Sequence, residues 1–416
     1  MKFGHKSIKA KLLGLASVLV LGQMFAFNTL KAQNFSLNAN CKKDVIPFEL
    51  INNLIVIPVY INNKGPFNFI LDTGVGPMII TNPALIDSLA LANLRQIKIF
   101  GFGEGEEIFA YATRSSTITI GNALAENLPT FVLKEDLFNL SSYIGKEISG
   151  LIGYDFFSNF IVKINYPAQS LSVYSKKSRR LRGEKIPIVL INNKPHLDAV
   201  VQPEGSGKIP VKLIIDCGAS HAISLEKYNE IAFRPPSVHI VGNLGVGLSG
   251  KISGFIGRAP SLAIGRFVFK NVLASFPAPN EAAAKVVFKE RNGNLGAEIL
   301  KRFNVTFDYR NNVMYLQKNG FFARPFEHDM TGIEFFIGSE PSRTYFIGRI
   351  EPGSPAENLD FHTGDQIVSI NFKKAEEYTF DQVTELFKSG NGKTLIIELI
   401  RDTKLLVKIL KLKKRI

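Results

Sequence analysis

Two aspartates stand out by their surroundings. Asp72 ends the apolar approach Asn68-Phe69-Ile70-Leu71 and precedes Thr73-Gly74 in the stretch FNFILDTGVGPMII (67–80). A carboxylate is seldom carried into apolar surroundings without a partner, because desolvating an unpaired charge is costly. Taken alone, Asp72 reads equally well as a turn residue that bonds its own backbone. A second stretch argues against that: KLIIDCGASHAISL (212–225) brings Asp216 to the end of another apolar run, followed by Cys217-Gly218. Two carboxylates within hydrogen-bonding reach cannot both ionise easily, so they share a proton. The ionised member can then take a proton from water while the protonated member polarises a carbonyl.

Residues so far apart in sequence meet only if the fold brings them together, and the surrounding sequence repeats. IPVYINNK (57–64) is echoed by IPIVLINNK (186–194), each leading toward its Asp. Downstream, Gly150-Leu151-Ile152-Gly153 is matched by Gly293-Asn294-Leu295-Gly296 at nearly the same distance from the aspartate. STITIGNALAENLPTFVL (116–133) resembles PSLAIGRFVFKNVLASFP (260–277), and YDFFSNFIVKINYPAQSLSVY (154–174) parallels AEILKRFNVTFDYRNNVMYLQ (297–317). Several landmarks recurring in one order imply two copies of one β-rich lobe. Gly74 and Gly218 allow tight loops and close backbone approach, and Gly153 and Gly296 would let a strand pass close behind each loop. FGFGEGEE (100–107) and GNLGVGLSGK (242–251) fit flaps over a cleft and ordinary hairpin turns equally well.

The bulk composition agrees. A chain of 416 residues exceeds one ordinary core, so two or three domains are expected. Hydrophobic content of 45% with 21% charged residues excludes a disordered chain. Lys2, Lys6, Lys9 and Lys11 precede the apolar run Leu12–Phe27, with a cleavage point after Ala32, which reads as a secretory signal over 1–32. Export to a periplasm or the exterior is therefore expected, without stable membrane insertion after cleavage. Cys41 follows Asn38-Ala39-Asn40 rather than small or apolar residues, so lipidation there is not expected. The net charge of +14 is carried partly by this leader and partly by the tail KLLVKILKLKKRI. Lys404, Lys408 and Lys411 alternate there with apolar residues, as in a final strand with one wet face rather than a nucleic-acid arm. His196, His221 and His239 lack metal-ligand spacing, so no metal or other cofactor is expected.

Apolar-apolar-Asp-Thr-Gly, followed by a Gly-bounded apolar-apolar-Gly, resembles the half-site of aspartic proteases. The likeness is to the retropepsin-like branch, with two lobes fused in one chain over about residues 47–318. It implies a mainly β, bilobal pepsin/retropepsin-like fold, with the N-lobe over 33–178 and the C-lobe over 179–320. It implies that Asp72 and Asp216 are catalytic, and that the loops Thr73-Gly74 and Cys217-Gly218 support them. The substrate would be an extended polypeptide, cleaved by an activated water.

Departures from the pattern matter. In the family a hydroxyl at position 217 bonds across to the other lobe, and a thiol is a weak donor and acceptor, so weaker bracing is expected there. Asn294 stands where an apolar residue is expected. Val75 and Ala219 follow the two glycines, so neither offers its Asp a hydroxyl; that loss would raise the carboxylate pKa and move activity toward weaker acid. These departures leave open a non-catalytic peptide-binding protein on the same fold.

Beyond residue 321 the pattern changes. Ser354-Pro355 starts a helix, Gly364-Asp365 leads into an apolar strand, and TFDQVTELFKS (379–389) has helical spacing with Thr379 as its cap. Strands are expected over 394–401 and 404–411. The run resembles a PDZ domain over 321–416. By that resemblance Gly332 and Ile333 belong to a loop whose amides receive a peptide carboxylate, with the peptide lying between strand 333–337 and helix 379–388.

Overall fold

Each aspartate sits in a frame of short strands and tight turns that the sequence dictates. A computed structural model describes residues 35–38, 41–99, 108–136, 139–175, 181–247, 250–278, 291–338 and 343–416. The expected leader over 1–32 and the glycine-rich stretch 100–107 lie outside the described residues.

Asn-Asn pairs make the hairpin turns. Asn52 and Asn53 have φ of 47° and 68°, and Asn192 and Asn193 have 50° and 64°. Two central residues at positive φ suit a hairpin of right-twisted strands, and Asn tolerates that region better than most residues. These turns join Glu49–Ile51 to Leu54–Ile61 and Val189–Ile191 to Lys194–Gln202. The lobes are therefore matched through Asn52-Asn53 and Asn192-Asn193. The alignment of 57–64 with 186–194 is a correction: Asn62-Asn63, with φ of 50° and 62°, forms a different hairpin. Its counterpart in the second lobe is the longer 203–208 connection. One turn chemistry used twice in the first lobe made the wrong pair look right.

In both lobes the Gly-bounded strand runs parallel to the strand that ends at the aspartate. Leu151 lies opposite Ile70, and Asn294 lies opposite Ile214. The lobes then share a six-stranded antiparallel sheet. Lys43–Pro47, Ser170–Tyr174 and Ile161–Asn165 come from the first lobe, and Phe303–Asp308, Val313–Lys318 and Glu184–Pro187 from the second. Its centre is the pairing of Val162 with Phe307 and Ile164 with Val305. Phe157 stands edge-on to Phe307 with ring centroids 5.2 Å apart, and Tyr309 stacks on Phe157 at 5.7 Å. Aromatic burial at this seam makes the lobes one body, and residues 35–416 form one compact unit.

The C-terminal domain has its own apolar core, containing Ile333, Tyr345, Ile367, Val383, Phe387, Ile397 and Leu410. Ser354 accepts the Glu357 N–H at the start of Pro355–Asn358, and Thr379 and Gln382 make a reciprocal cap on Phe380–Phe387. Strands Thr394–Arg401 and Lys404–Lys411 lie where the sequence places them. The wet face of the last strand is a correction, however. Lys404 and Lys411 are exposed as expected, but Leu405, Val407 and Ile409 are exposed with them, while Lys408 turns back toward Asp360. Charge in the sequence did not report which side of an edge strand meets the core.

Arg302, fully buried, fastens the connection to this domain. Its guanidinium donates to the carbonyls of Phe322, Arg324 and Pro325, pairs with Glu298, and lies 3.8 Å over the Phe326 ring. The domain also touches both lobes directly. Asn52 N–H donates to Asp381 at 2.8 Å, Asn243 donates to Glu334 at 3.3 Å, and Gly145 abuts Ile337.

Phe307→Ala removes the ring at the centre of the shared sheet and should lower stability by about 3–5 kcal/mol, the usual range for a buried Phe→Ala. The check is the urea unfolding midpoint at unchanged m-value.

Candidate active site

The two Asp-x-Gly loops meet face to face. Asp72 N–H donates to Ile152 O at 2.8 Å, and Asp216 N–H donates to Leu295 O at 2.9 Å, so the Gly-bounded strand of each lobe anchors its aspartate. Each loop glycine then returns its own amide to the carboxylate. Gly74 N–H donates to Asp72 Oδ1 at 2.6 Å, and Gly218 N–H donates to Asp216 Oδ1 at 3.0 Å. The opposite loop leaves no room for a side chain. A Cβ on Gly218 would lie 2.2 Å from Asp72 Cγ, and one on Gly74 would lie 3.0 Å from Asp216 Oδ2. Behind the loops, a Cβ on Gly153 would strike Asp72 O at 2.0 Å, and one on Gly296 would strike His221 O at 2.1 Å.

Four hydrogen bonds cross between the lobes beneath the carboxylates. Thr73 Oγ1 donates to Ile215 O at 2.7 Å and accepts from Cys217 N–H at 3.0 Å. Cys217 Sγ donates to Leu71 O at 3.1 Å and accepts from Thr73 N–H at 3.3 Å. Thr73 and Cys217 are both fully buried. The thiol thus occupies every partner position that the hydroxyl occupies on the other side. The bracing keeps its full pattern, and what the sulfur loses is the strength of each bond.

The carboxylates share a side-chain hydrogen bond in this arrangement. Burial raises the Asp72 pKa well above the ordinary carboxylate range, and the charge of Asp216 adds to it, while the Gly74 N–H and Lys194 pull the other way. Burial likewise pushes the Cys217 thiol up, so it stays protonated as a donor. Lys194 follows the Asn192-Asn193 turn and acts electrostatically on both aspartates. Sequence reasoning passed over Lys194; the turn that carries it was the available signal.

The walls beside the pair differ between lobes. Leu54, Val56, Val75, Ile79, Ile144 and Leu151 form a separate apolar cluster in the first lobe. Strand register matches Leu54 to Lys194, Val56 to His196, Ile79 to Ser224 and Leu151 to Asn294. The second lobe therefore presents polar groups where the first presents hydrocarbon. Asn294 Nδ2 donates to Asp216 Oδ2 at 3.2 Å, so the residue read from sequence as a loss supplies a bond.

The hairpin of His239–Gly247 and Gly250–Ile264 is present over the described residues, with Val246 opposite Lys251. In the C-terminal domain, Ile333–Ile337 is an edge strand of its sheet. The amides of Gly332 and Ile333 are not open to a ligand, which corrects the reading of that loop. Gly332 N–H donates to Asp329 Oδ1 at 2.5 Å, and Ile333 N–H donates to Thr331 Oγ1 at 3.0 Å. The loop carries its own carboxylate, with the Asp329 pKa pushed up to about 7 chiefly by burial. Phe335 also fills space toward the helix, its ring 4.7 Å from Phe380 and 5.6 Å from Phe387.

Thr73→Val removes the stronger half of the cross-lobe bracing and leaves Ile215 O and Cys217 N–H without these partners. Two buried orphans should cost about 2–6 kcal/mol together, at about 1–3 kcal/mol each. Cys217→Ala should cost less, because the bonds it removes are weaker. Chemical denaturation of the two variants checks that order.

The family of aspartyl proteases matches residues 57–156, within the first lobe. The crystal structure of an aspartic proteinase from Irpex lacteus superposes with a TM-score of 0.41 at 12% identity, covering 68% of this chain and 99% of that one. The Na(+)/H(+) exchange regulatory cofactor NHE-RF2 of Oryctolagus cuniculus is 36% identical over 66 residues, 16% of this chain and 21% of that protein. The same cofactor of Mus musculus is 36% identical over 66 residues, 16% of this chain and 20% of its own. The chain spans about a fifth of the length of these curated relatives. The first lobe is thus similar to the aspartyl proteases over residues 57–156, and the chain as a whole is two β-rich lobes joined through one sheet, followed by a third β-rich domain with its own core.

Proposed function

We propose that the chain is an exported aspartic endopeptidase in which Asp72 and Asp216 activate water to hydrolyse peptide bonds of extended polypeptides. The observation that carries this is the approach of the two loops, in which each glycine abuts the other lobe's carboxylate. A turn acid has no need of a matched acid at hydrogen-bonding range.

Asp72 suits the role of acid. It is 9% exposed, and burial with the neighbouring Asp216 charge raises its pKa, which favours its protonated form. Asp216 is then the base. It takes a proton from water as the water oxygen adds to the scissile carbonyl carbon, and Asp72 gives its proton to the carbonyl oxygen. The resulting gem-diol collapses with cleavage of the C–N bond, and a proton returned to nitrogen lets the amine leave. No covalent adduct with the enzyme forms. The basic leader with its apolar run supports export.

The test is cleavage of a mixed peptide library across pH 3–8 by wild type, Asp72→Asn and Asp216→Asn. Either substitution should reduce kcat/KM by about 10²–10⁴-fold, the range for loss of a general acid or base. The acid must be protonated to act, so activity should fall as pH rises through the raised Asp72 pKa. The upper limb of the profile should therefore lie above the ordinary carboxylate range. Cleavage that survives both substitutions would sink the mechanism. Folded wild-type protein that binds peptide but cleaves none would favour a non-catalytic binding protein.

A further inference from the structure

The two aspartates are not equivalent, and the difference comes from the lobe walls. Asp216 receives one donor on each oxygen from its own lobe, Gly218 N–H on Oδ1 and Asn294 Nδ2 on Oδ2. Asp72 receives Gly74 N–H on Oδ1. The first-lobe residue matched to Asn294 is Leu151, which has no donor to offer. We infer that Asn294 is a positioning residue that holds Asp216 as the ionised base by donating to Oδ2, so that Asp72 carries the proton. The inference rests on the protease reading above and assigns roles within the pair.

Three further observations support it. Asn294 Oδ1 is buried and has no hydrogen-bond partner, so placing an amide here costs something that an apolar residue would not. Turning the amide over would set that oxygen against a carboxylate oxygen, so its orientation goes with an ionised Asp216. Ala219 supplies no hydroxyl in the position after the loop glycine, and Asn294 fills the need for a second donor from the neighbouring strand instead.

The other titratable groups around the pair favour the same assignment. Lys194 acts on both aspartates, and its first-lobe counterpart is Leu54, so the cation belongs to the second-lobe wall. His221 is kept toward its neutral form by burial, and the Cys217 thiol toward its protonated form, so neither competes for the negative charge. Tyr309 is likewise held protonated by burial. The charge of Arg291 is directed to Glu226 at 3.0 Å.

The experiment is the pH dependence of kcat and KM for wild type, Asn294→Leu and the double variant Asn294→Leu/Ala219→Ser. Leucine is the residue type at the matched first-lobe site, so the frame accommodates it; Asn294→Ala serves where leucine does not pack. Loss of a donor to an ionised group should lower kcat by about ten- to a hundredfold with KM little changed. The acid limb should move up by about one pH unit, because the base is then harder to ionise. The added serine hydroxyl should bring the limb back toward wild type. A limb that stays in place in Asn294→Leu would overturn the inference, whatever happens to kcat. A purely structural role would lower the unfolding midpoint without moving the limb. Should wild type show no Asp72-dependent cleavage, the protease reading fails separately. Carboxyl 13C titration of wild type and Asn294→Leu then decides: the lower of the pair's two steps must rise in the variant, and an unchanged step refutes the inference.

Discussion

The geometry of the two Asp-x-Gly loops depends on the four bonds that cross between the lobes at Thr73 and Cys217. They tie each Asp-x-Gly loop to the backbone carbonyl that precedes the other loop's aspartate, Leu71 O on one side and Ile215 O on the other. Moving either aspartate therefore means stretching a bond made by the opposite loop. The acceptors are buried, so breaking a bond strands a polar group away from water. A weak donor at such a site still contributes, because its removal would leave Leu71 O without that partner. This is how a thiol can stand in for a hydroxyl here. Sulfur fills the space, stays protonated, and preserves the direction of both bonds.

That brace holds two carboxylates where neither would choose to be, and the consequence is chemical. Burial and the neighbouring Asp216 charge raise the pKa of Asp72, and the walls around the two carboxylates differ between the lobes. Duplication would supply identical walls. The lobes have instead diverged at Leu54/Lys194, Ile79/Ser224 and Leu151/Asn294, three positions on the strands flanking the pair. The positions under the brace diverged less, Thr73 facing Cys217. Symmetry survives where the backbone must match across the axis and breaks on the flanking strands, where Asn294 reaches Asp216 and Lys194 acts on both carboxylates.

The same distinction explains what could be read from sequence. The paired Asp-x-Gly loops, the Gly-bounded strands and the last two strands were legible because backbone patterns repeat along the chain. Asn294 was visible as an exception, but its partner was not, since Asp216 lies far away in sequence and the contact depends on strand register. The Asn-Asn match failed because hairpin chemistry is local and recurs wherever a tight turn is needed. Leu405, Val407 and Ile409 were misplaced because the sides of an edge strand are set by what packs against them. At the loop before Ile333–Ile337, the competing ligand for the amides was Asp329, three residues before Gly332. An acid so close to a glycine turn could have been read as an internal acceptor.

The C-terminal domain extends this logic beyond the pair. Its edge strand meets the first lobe at Gly145, beside Ile144, which packs with Val75 and Leu151 in the wall next to Asp72. Its helix accepts the Asn52 amide, and Asn53 of the same turn donates to Ser220 O at 2.8 Å and Glu298 at 2.9 Å in the second lobe. The turn that joins Glu49–Ile51 to Leu54–Ile61 in the N-lobe thus touches all three domains. On the far side, Asn243 and the Val241 carbonyl of the second lobe's hairpin bond to Glu334 and Arg349. These are small polar contacts of the kind that join domains within a chain without fusing their cores. They fall on the wall of one lobe and the hairpin of the other, so the C-terminal domain bridges the two lobes. A domain that served only as a tether could be held by its linker alone; this one is held to both lobes by side-chain and backbone bonds.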